Sequence, residues 1–144
     1  MSGQAGDFWR LLYRSEARID GLEMMKAIAS LLAVSARNNL RDRITGLFVH
    51  NDGAFIQVLE GDRALVEACY RRIAADDRHR NLEILIAEPT EQRLFPRWSM
   101  GFVDAMETED FSALSRKLRS GERDALDAMI EIGSEHGLIQ RALV

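Results

Sequence analysis

The tripeptide Asn51-Asp52-Gly53 separates two short apolar segments near the middle of the chain, and it constrains the fold more than any other feature. The segments are ITGLFVH, residues 44–50, and AFIQVLE, residues 54–60. Both have the length and the β-branched and aromatic content of strands. Asp-Gly readily adopts the positive φ angles that tight hairpin turns require. We therefore predict that the two segments pair as a β-hairpin.

The segments on each side of this hairpin predict further strands and helices. Residues 7–15, DFWRLLYRS, alternate as a strand does, and residues 23–37 follow the helical period. Asp62 is a good N-cap for a second helix, which we expect to extend to about Ala75. Two more strands are predicted after it, LEILIAE (residues 82–88) and RWSMGFVDA (residues 97–105).

The order strand–helix–strand–strand–helix–strand predicts an α+β fold, a ferredoxin-like βαββαβ sheet with an extra fifth strand and two helices on one face. Strand 54–60 is apolar on its other face too, where Ile56 and Val58 lie. That face must also be covered. Two amphipathic helical segments, residues 110–118 and 125–139, are expected to cover it in the same chain or in a partner chain.

The composition is that of an ordinary globular protein. The chain has 144 residues, 47% hydrophobic and 29% charged, with a net charge of −4. This balance argues against a nucleic-acid surface and a polybasic membrane anchor, and no apolar run has the length of a signal peptide or a membrane span. Cys69 is the single cysteine, which excludes an internal disulfide and a thiolate metal cluster. We predict a cytoplasmic protein without a metal.

Gln57 lies in the middle of the apolar strand, and its amide needs partners. Burying an unpaired amide costs roughly 2 kcal/mol or more. The gap between the two helices on its face of the sheet can be lined by Asn38, Asn39, Arg72 and Asp76. A planar heterocycle with alternating donors and acceptors would satisfy such a set. The alternative is a core glutamine bonded to a backbone carbonyl.

Most of these residues also have a purely structural explanation. Tyr13 fits a core tyrosine whose hydroxyl bonds to the backbone. The pair Asn38 and Asn39 fits the end of the first helix. Arg72 and Asp76 lie one helical turn apart and fit a surface ion pair.

Three other kinds of residue have equally simple explanations. Trp98 and Met100 share one face of the last predicted strand, where core packing would explain both. Cys69 fits a small buried apolar residue. The histidines have no metal-ligand spacing and are expected to be solvated; they are His50, His79 and His136.

The sequence lacks the motifs of common enzymes. It has no P-loop, dinucleotide fingerprint, nucleophile elbow or zinc pattern, and we predict that the protein is not an enzyme. An RNA-recognition module would expose aromatic beside basic residues on its third strand. The third strand here, AFIQVLEG, carries an acid instead, so RNA binding is not expected.

Six segments occur in a fixed order between residue 8 and about residue 104. They are LLYRS (11–15), RNN (37–39), ITGLFVH (44–50), DGAFIQVLEG (52–61), DDRHRN (76–81) and FPRWSMGF (95–102). Together they resemble the BLUF family, blue-light sensors that use FAD. Any one of them is a weak signal, but the whole set in order is specific. The short chain is most similar to stand-alone members of that family.

The resemblance implies that a flavin lies between the two helices. Tyr13 and Gln57 would then be the photochemical pair. The residues that hold the cofactor would be Tyr13, Asn38, Asn39, Gln57, Arg72 and Asp76. Trp98 and Met100 match a family motif that is associated with signal output from the last strand.

The resemblance also implies a mechanism. Blue light would make Tyr13 pass an electron and a proton toward the flavin, and Gln57 would be left rotated or tautomerised, which gives a small red shift. We expect residues 1–105 to form the flavin-binding domain and residues 106–144 to form a helical extension that reads the change. The expected partners are FAD, further copies of the chain and a separate effector protein, because no effector domain follows.

Two features differ from the family pattern, and one alternative function stays open. The loop after Tyr13 is longer, and Arg43 stands where the family has glycine. If position 43 requires positive φ, arginine costs about 1 kcal/mol or more there. The alternative is a non-photochemical, dimeric ferredoxin-like module that binds a small ligand, or an oxygenase.

Overall fold

The computed structural model describes residues 8–18, 37–51, 53–96, 101–104 and 111–135, together with residues 23, 26 and 30. Within them the strands are β1 (Phe8–Ala17), β2 (Thr45–Asn51), β3 (Ala54–Gly61), β4 (His79–Thr90) and β5 (Gly101–Asp104). The helices are α1, described over residues 37–42, α2 (Arg63–Ala74), α3 (Phe111–Arg119) and α4 (Glu122–Glu135). Residues 23, 26 and 30 are helical too, in agreement with the helix predicted from residue 23.

The described strands form a single mixed sheet in the order β4-β1-β3-β2-β5. β1 pairs antiparallel with β3 and with β4, and β2 pairs antiparallel with β3. β5 is parallel to β2. This is the predicted ferredoxin-like arrangement with a fifth strand added. Its connections place β1 and β3 in the interior of the sheet, where both of their faces are covered.

The central hairpin is confirmed. β2 and β3 pair in register from Thr45 opposite Glu60 to Asn51 opposite Ala54. Gly53, in the turn, has a φ of 82°, a value that glycine adopts without steric cost.

The second helix is confirmed. Asp62 caps α2 by accepting a hydrogen bond from the backbone N–H of Leu65 at 3.3 Å. Leu65 itself is 38% exposed. The residues that pack against the sheet are Val66, Cys69 and Ile73, which follow the three- and four-residue spacing of one helix face.

The first helix ends later than predicted. Asn38 and Asn39 lie inside α1, and the chain leaves the helix at Arg43, whose φ is 56°. The N–H of Ile44 donates to the carbonyl of Asn39 at 2.8 Å, and the N–H of Arg43 donates to the carbonyl of Leu40 at 3.4 Å. These two bonds form a Schellman cap around a left-handed residue. The interpretation of the asparagine pair as a helix end is therefore wrong.

Each face of the sheet has its own hydrophobic core. On one face the buried residues are Leu11, Tyr13, Ile44, Phe48, Phe55, Leu59, Val66 and Cys69. On the other face the core contains Ile56 and Val58 together with helical residues from α3 and α4, which are Leu118, Ala125, Leu126, Ala128, Met129 and Ile132. The two C-terminal helices thus cover the second face within the same chain.

We predict that Arg43→Gly raises the free energy of unfolding by about 1 kcal/mol, because it removes the side-chain penalty of the left-handed conformation. Urea unfolding in the dark measures the change. Arg71→Gly, in the regular part of α2, is the matched control and is expected to lower the same quantity by about 1 kcal/mol. Equal destabilisation by both substitutions would contradict the prediction.

Candidate functional site

Tyr13 and Gln57 face each other on neighbouring strands. They are partners in the β1–β3 register, and strand alternation directs both side chains to the face that α2 covers. The hydroxyl of Tyr13 donates to Oε1 of Gln57 at 2.6 Å. Both residues are almost fully buried, at 2% and 5% exposure. The amide of Gln57 is therefore oriented, with its carbonyl toward Tyr13.

Burial raises the pKa of Tyr13 well above the ordinary value for a phenol. Loss of solvent is the main cause, and negative charge on Cys69, Tyr70 or Asp76 would raise the pKa further. The ring of Tyr70 packs edge-on against that of Tyr13, with centroids 5.5 Å apart. The phenol consequently stays protonated at neutral pH and acts as a hydrogen-bond donor. It can lose its proton readily only if it also loses an electron.

Asn39 is buried on the same side of the sheet and connects α1 with α2. Its side chain is 1% exposed, and its Oδ1 lies 3.7 Å from Sγ of Cys69. Burial raises the pKa of the Cys69 thiol, so the thiol remains a weak neutral donor. Asn38, its neighbour on α1, is only partly buried. The two asparagines predicted to bind a cofactor are therefore in different environments.

Arg72 and Asp76 do not form the ion pair that was the simplest explanation for them. A guanidinium nitrogen of Arg72 lies 3.7 Å from a carboxylate oxygen of Asp42, which connects α2 with α1. Asp76 instead accepts hydrogen bonds from the guanidinium of Arg78, the shortest at 2.6 Å, and from its backbone N–H at 2.9 Å. These bonds hold the pKa of Asp76 below its usual range. Asp76 is thereby fixed immediately before β4.

His79 is buried and hydrogen-bonded on both ring nitrogens, so the expectation of a solvated histidine is wrong for it. Its Nε2 lies 2.8 Å from the carbonyl of Ile73, and its Nδ1 lies 2.8 Å from Oγ of Ser15. A carbonyl can only accept, so Nε2 carries a proton, and in the neutral ring Nδ1 accepts from Ser15. The centroids of the His79 and Tyr13 rings are 6.3 Å apart.

Sequence reasoning missed Ser15 and Tyr70 as neighbours of the site, and it missed the burial of His79. Ser15 could have been found, since it lies two positions after Tyr13 and therefore on the same face of β1. His50 is partly buried and accepts a hydrogen bond from the N–H of Gly53 at 3.1 Å. The other predicted residues, Trp98, Met100 and His136, lie outside the residues that the structure describes.

Neither a metal site nor a membrane-spanning helix is found among the described residues. No three histidine, cysteine or acidic side chains in this part of the chain are grouped so that they could hold a metal ion. None of the helices in the same residues combines the length and the apolar character needed to cross a bilayer.

The polar groups on the α2 side of the sheet fit the edge of a flavin ring. The buried amides of Asn39 and Gln57 offer both donors and acceptors, and the Tyr13 hydroxyl lies next to them. A ring with alternating carbonyl, N–H and imine groups requires such a mixed set. Fold and site together define an α+β domain whose α2-covered face carries the mixed set of polar groups that a planar cofactor requires.

Comparison with known proteins identifies the family. The family model for BLUF, described as sensors of blue-light using FAD, matches residues 8–101. The chain therefore belongs to the BLUF family, and FAD is its cofactor. The dark-state structure of BlrB, a BLUF protein, is similar over 92% of this chain and 99% of its own, with 31% identity and a TM-score of 0.81.

Other relatives contain this domain as part of a longer protein. The blue light- and temperature-regulated antirepressor BluF of Escherichia coli is 34% identical over 94 residues, which are 65% of this chain and 23% of BluF. A bacterial light-regulated adenylyl cyclase matches with a TM-score of 0.68 and 30% identity, over 90% of this chain and 35% of the cyclase. This chain thus spans about a quarter of the curated relative BluF.

We predict that Tyr13 makes the folded protein less stable in alkaline solution. An unfolded tyrosine ionises near pH 10, whereas Tyr13 in the folded chain resists ionisation. The contribution of Tyr13 to stability is therefore unchanged below about pH 10 and falls by about 1.4 kcal/mol for each pH unit above it.

Denaturant unfolding between about pH 9 and pH 11 tests this prediction. Tyr13→Phe should remove most of the fall. Tyr70→Phe is the control, and it should have a smaller effect because Tyr70 is only partly buried. A wild-type profile that Tyr13→Phe leaves unchanged would contradict the prediction.

Proposed function

We propose that the photoresponse of this chain is carried by Tyr13 as the donor of an electron and a proton, and by Gln57 as the group whose hydrogen bonds change. The observation that supports this most directly is the 2.6 Å bond from the Tyr13 hydroxyl to Gln57 Oε1. It lies in a buried site, where no solvent competes for either group. A change in the hydrogen bonding of one partner must therefore change the hydrogen bonding of the other.

The chemistry requires little from the protein besides this pair. Bound FAD absorbs blue light and supplies an electron-accepting ring. When Tyr13 loses an electron, its raised pKa falls steeply and its proton moves along the existing hydrogen bond to Oε1 of Gln57. Gln57 would stay neutral by releasing a proton from Nε2 to the electron-accepting ring at the same time. When the electron and a proton return to Tyr13, Gln57 is left rotated or tautomerised.

Four further residues are proposed to hold the cofactor, namely Asn38, Asn39, Arg72 and Asp76. The burial of Asn39 against Cys69 supports a direct contact. Arg72 is half exposed and paired with Asp42 across the two helices, so it suits a charged part of the cofactor near solvent. Asp76, which Arg78 fixes after the end of α2, is suited to accept a hydrogen bond from the cofactor.

We propose that output runs through Trp98, Met100 and the C-terminal helices to a separate effector protein. The division into a flavin-binding domain, 1–105, and a helical extension, 106–144, is supported by the range of the family match and by α3 and α4 covering the sheet. Relatives named as an antirepressor and as a cyclase suggest that such domains serve different effectors. We infer a non-enzymatic, cytoplasmic homo-oligomer.

We predict that Gln57→Leu still binds FAD but loses the light-induced red shift, because leucine has no hydrogen bond to rearrange. Absorption spectra before and after blue light measure the shift, and denaturation followed by mass analysis measures bound FAD. Gln92→Leu, at an exposed loop position, is the control and should behave as wild type. A normal shift in Gln57→Leu would refute the switch, and a protein that stays colourless with FAD would favour the small-ligand alternative.

We predict that Tyr13→Phe binds FAD and also loses the normal photocycle, because phenylalanine has no proton to give and is a poor electron donor. Transient absorption after a blue pulse provides the measurement. Tyr70→Phe keeps the Tyr13–Gln57 bond and is the matched control, with a red shift expected as in wild type. A red shift of normal size and yield in Tyr13→Phe would show that another residue supplies the electron.

A further inference from the structure

Glu60 is the one carboxylate that is fully buried among the residues the structure describes. Its Oε2 accepts a hydrogen bond from Nε of Arg10 at 2.8 Å. The backbone N–H of Phe95 donates to Oε1 at 2.8 Å, and that of Leu94 reaches both oxygens, at 2.9 and 3.0 Å. A buried carboxylate with several N–H donors is well satisfied, so Glu60 holds these groups firmly.

The groups that Glu60 holds belong to a loop without regular structure. Residues 91–96 lie between β4 and the segment that leads to β5, and they form neither helix nor strand. Three more hydrogen bonds fasten this loop. Nη2 of Arg10 donates to the carbonyl of Gln92 at 3.1 Å, and Nη1 of Arg93 donates to the carbonyl of Glu60 at 3.0 Å and to Oγ1 of Thr45 at 2.9 Å. The loop is thereby attached to β1, β3 and β2.

The same loop reaches the core under the C-terminal helices. Phe95 has no exposed surface and packs in the cluster that contains Leu118 of α3 and Met129 of α4. Glu60 follows Gln57 by three residues on β3, so the two side chains lie on opposite faces of the same strand. One strand therefore carries both the proposed switch and the anchor of the loop that precedes β5.

We propose that Glu60 is a positioning residue that transmits the change at Gln57 to β5 and to α3 and α4. It does so by fixing the 92–95 loop to β3. A displacement of β3 then moves the loop and Phe95 with it, because the bonds to Glu60 are short and buried. This inference rests on the proposed function, since it presumes that Gln57 rearranges in light.

The test is amide hydrogen exchange of the FAD-bound protein, in the dark and under blue light, together with the absorption red shift. In wild type we expect the red shift and a light-minus-dark difference over residues 111–135. In Glu60→Gln we expect the red shift to remain and this difference to be lost. If Glu60 were only structural, α3 and α4 would exchange faster in both states and the light-minus-dark difference would persist, which would overturn the proposal.

Glu88→Gln is the matched control. Glu88 is a carboxylate on β4 that pairs with Arg123 of α4, with a shortest distance of 2.7 Å, and its side chain makes none of the hydrogen bonds described above that hold the 92–95 loop. It connects α4 to the sheet without the loop. Glu88→Gln should therefore keep both the red shift and the light-minus-dark difference. Loss of the difference in this control would show that any weakening of the attachment of α4 to the sheet removes it, and would contradict a specific role for Glu60.

A second variant guards against misfolding, because Glu60→Gln leaves Arg10 buried without a counter-charge. Replacing both partners, as Arg10→Met with Glu60→Met, removes the pair and the loop anchor while keeping the site apolar. It should give the same result, a normal red shift without a light-minus-dark difference.

Loss of the red shift in either variant would place Glu60 in the flavin site and overturn the proposal. A wild type that shows no red shift would refute the proposed function instead, and one with a red shift but no exchange difference would refute the role of Glu60.

Discussion

The hydrogen bond between Tyr13 and Gln57 exists because β1 and β3 are neighbours in the middle of the sheet and pair in the register that sets these two residues opposite each other. A shift of β3 by one residue would turn Gln57 to the other face, into the core under α3 and α4, and would separate it from Tyr13. The hairpin with Gly53 fixes the register of β3, and apolar residues on both faces hold it. The geometry of the photochemical pair is thus a property of the whole sheet.

Burial of this pair has two consequences that act together. It raises the pKa of Tyr13, so the phenol stays protonated and donates to Gln57. It also leaves the Gln57 amide dependent on a small number of partners, because an unsatisfied amide in an apolar site is costly. In the proposed switch, a small change in electronic state at the flavin causes a discrete rearrangement of the Gln57 amide, since intermediate orientations would lose hydrogen bonds.

Most of the fold could be predicted from the sequence, because it depends on local patterns. Apolar residues on both faces of segment 54–60 and the Asp-Gly turn predicted the hairpin and the two-sided burial of β3. Residue preferences placed the end of α1 too early, since Arg43 takes a left-handed conformation that they disfavour; the glycine of the family pattern indicated that conformation. The burial of His79 was missed because β4 begins three residues before its apolar run, and the Glu60 anchor was missed because its partners lie in an irregular loop over thirty residues away.

The two faces of the sheet are connected by residues that follow each other on the same strands. Next to Tyr13, Arg14 points to the other face, where its guanidinium donates to the carbonyls of Leu118 at 2.8 Å and Ser120 at 3.3 Å, at the C-terminal end of α3. A cation at this position pairs with carbonyls that a helix end leaves unsatisfied. On β3, Glu60 lies on the same face as Arg14 and accepts hydrogen bonds from the backbone of Leu94 and Phe95. In the proposed output route, a displacement that starts at Tyr13 or Gln57 reaches the C-terminal helices through side chains one to three residues away, because a strand is stiff along its length.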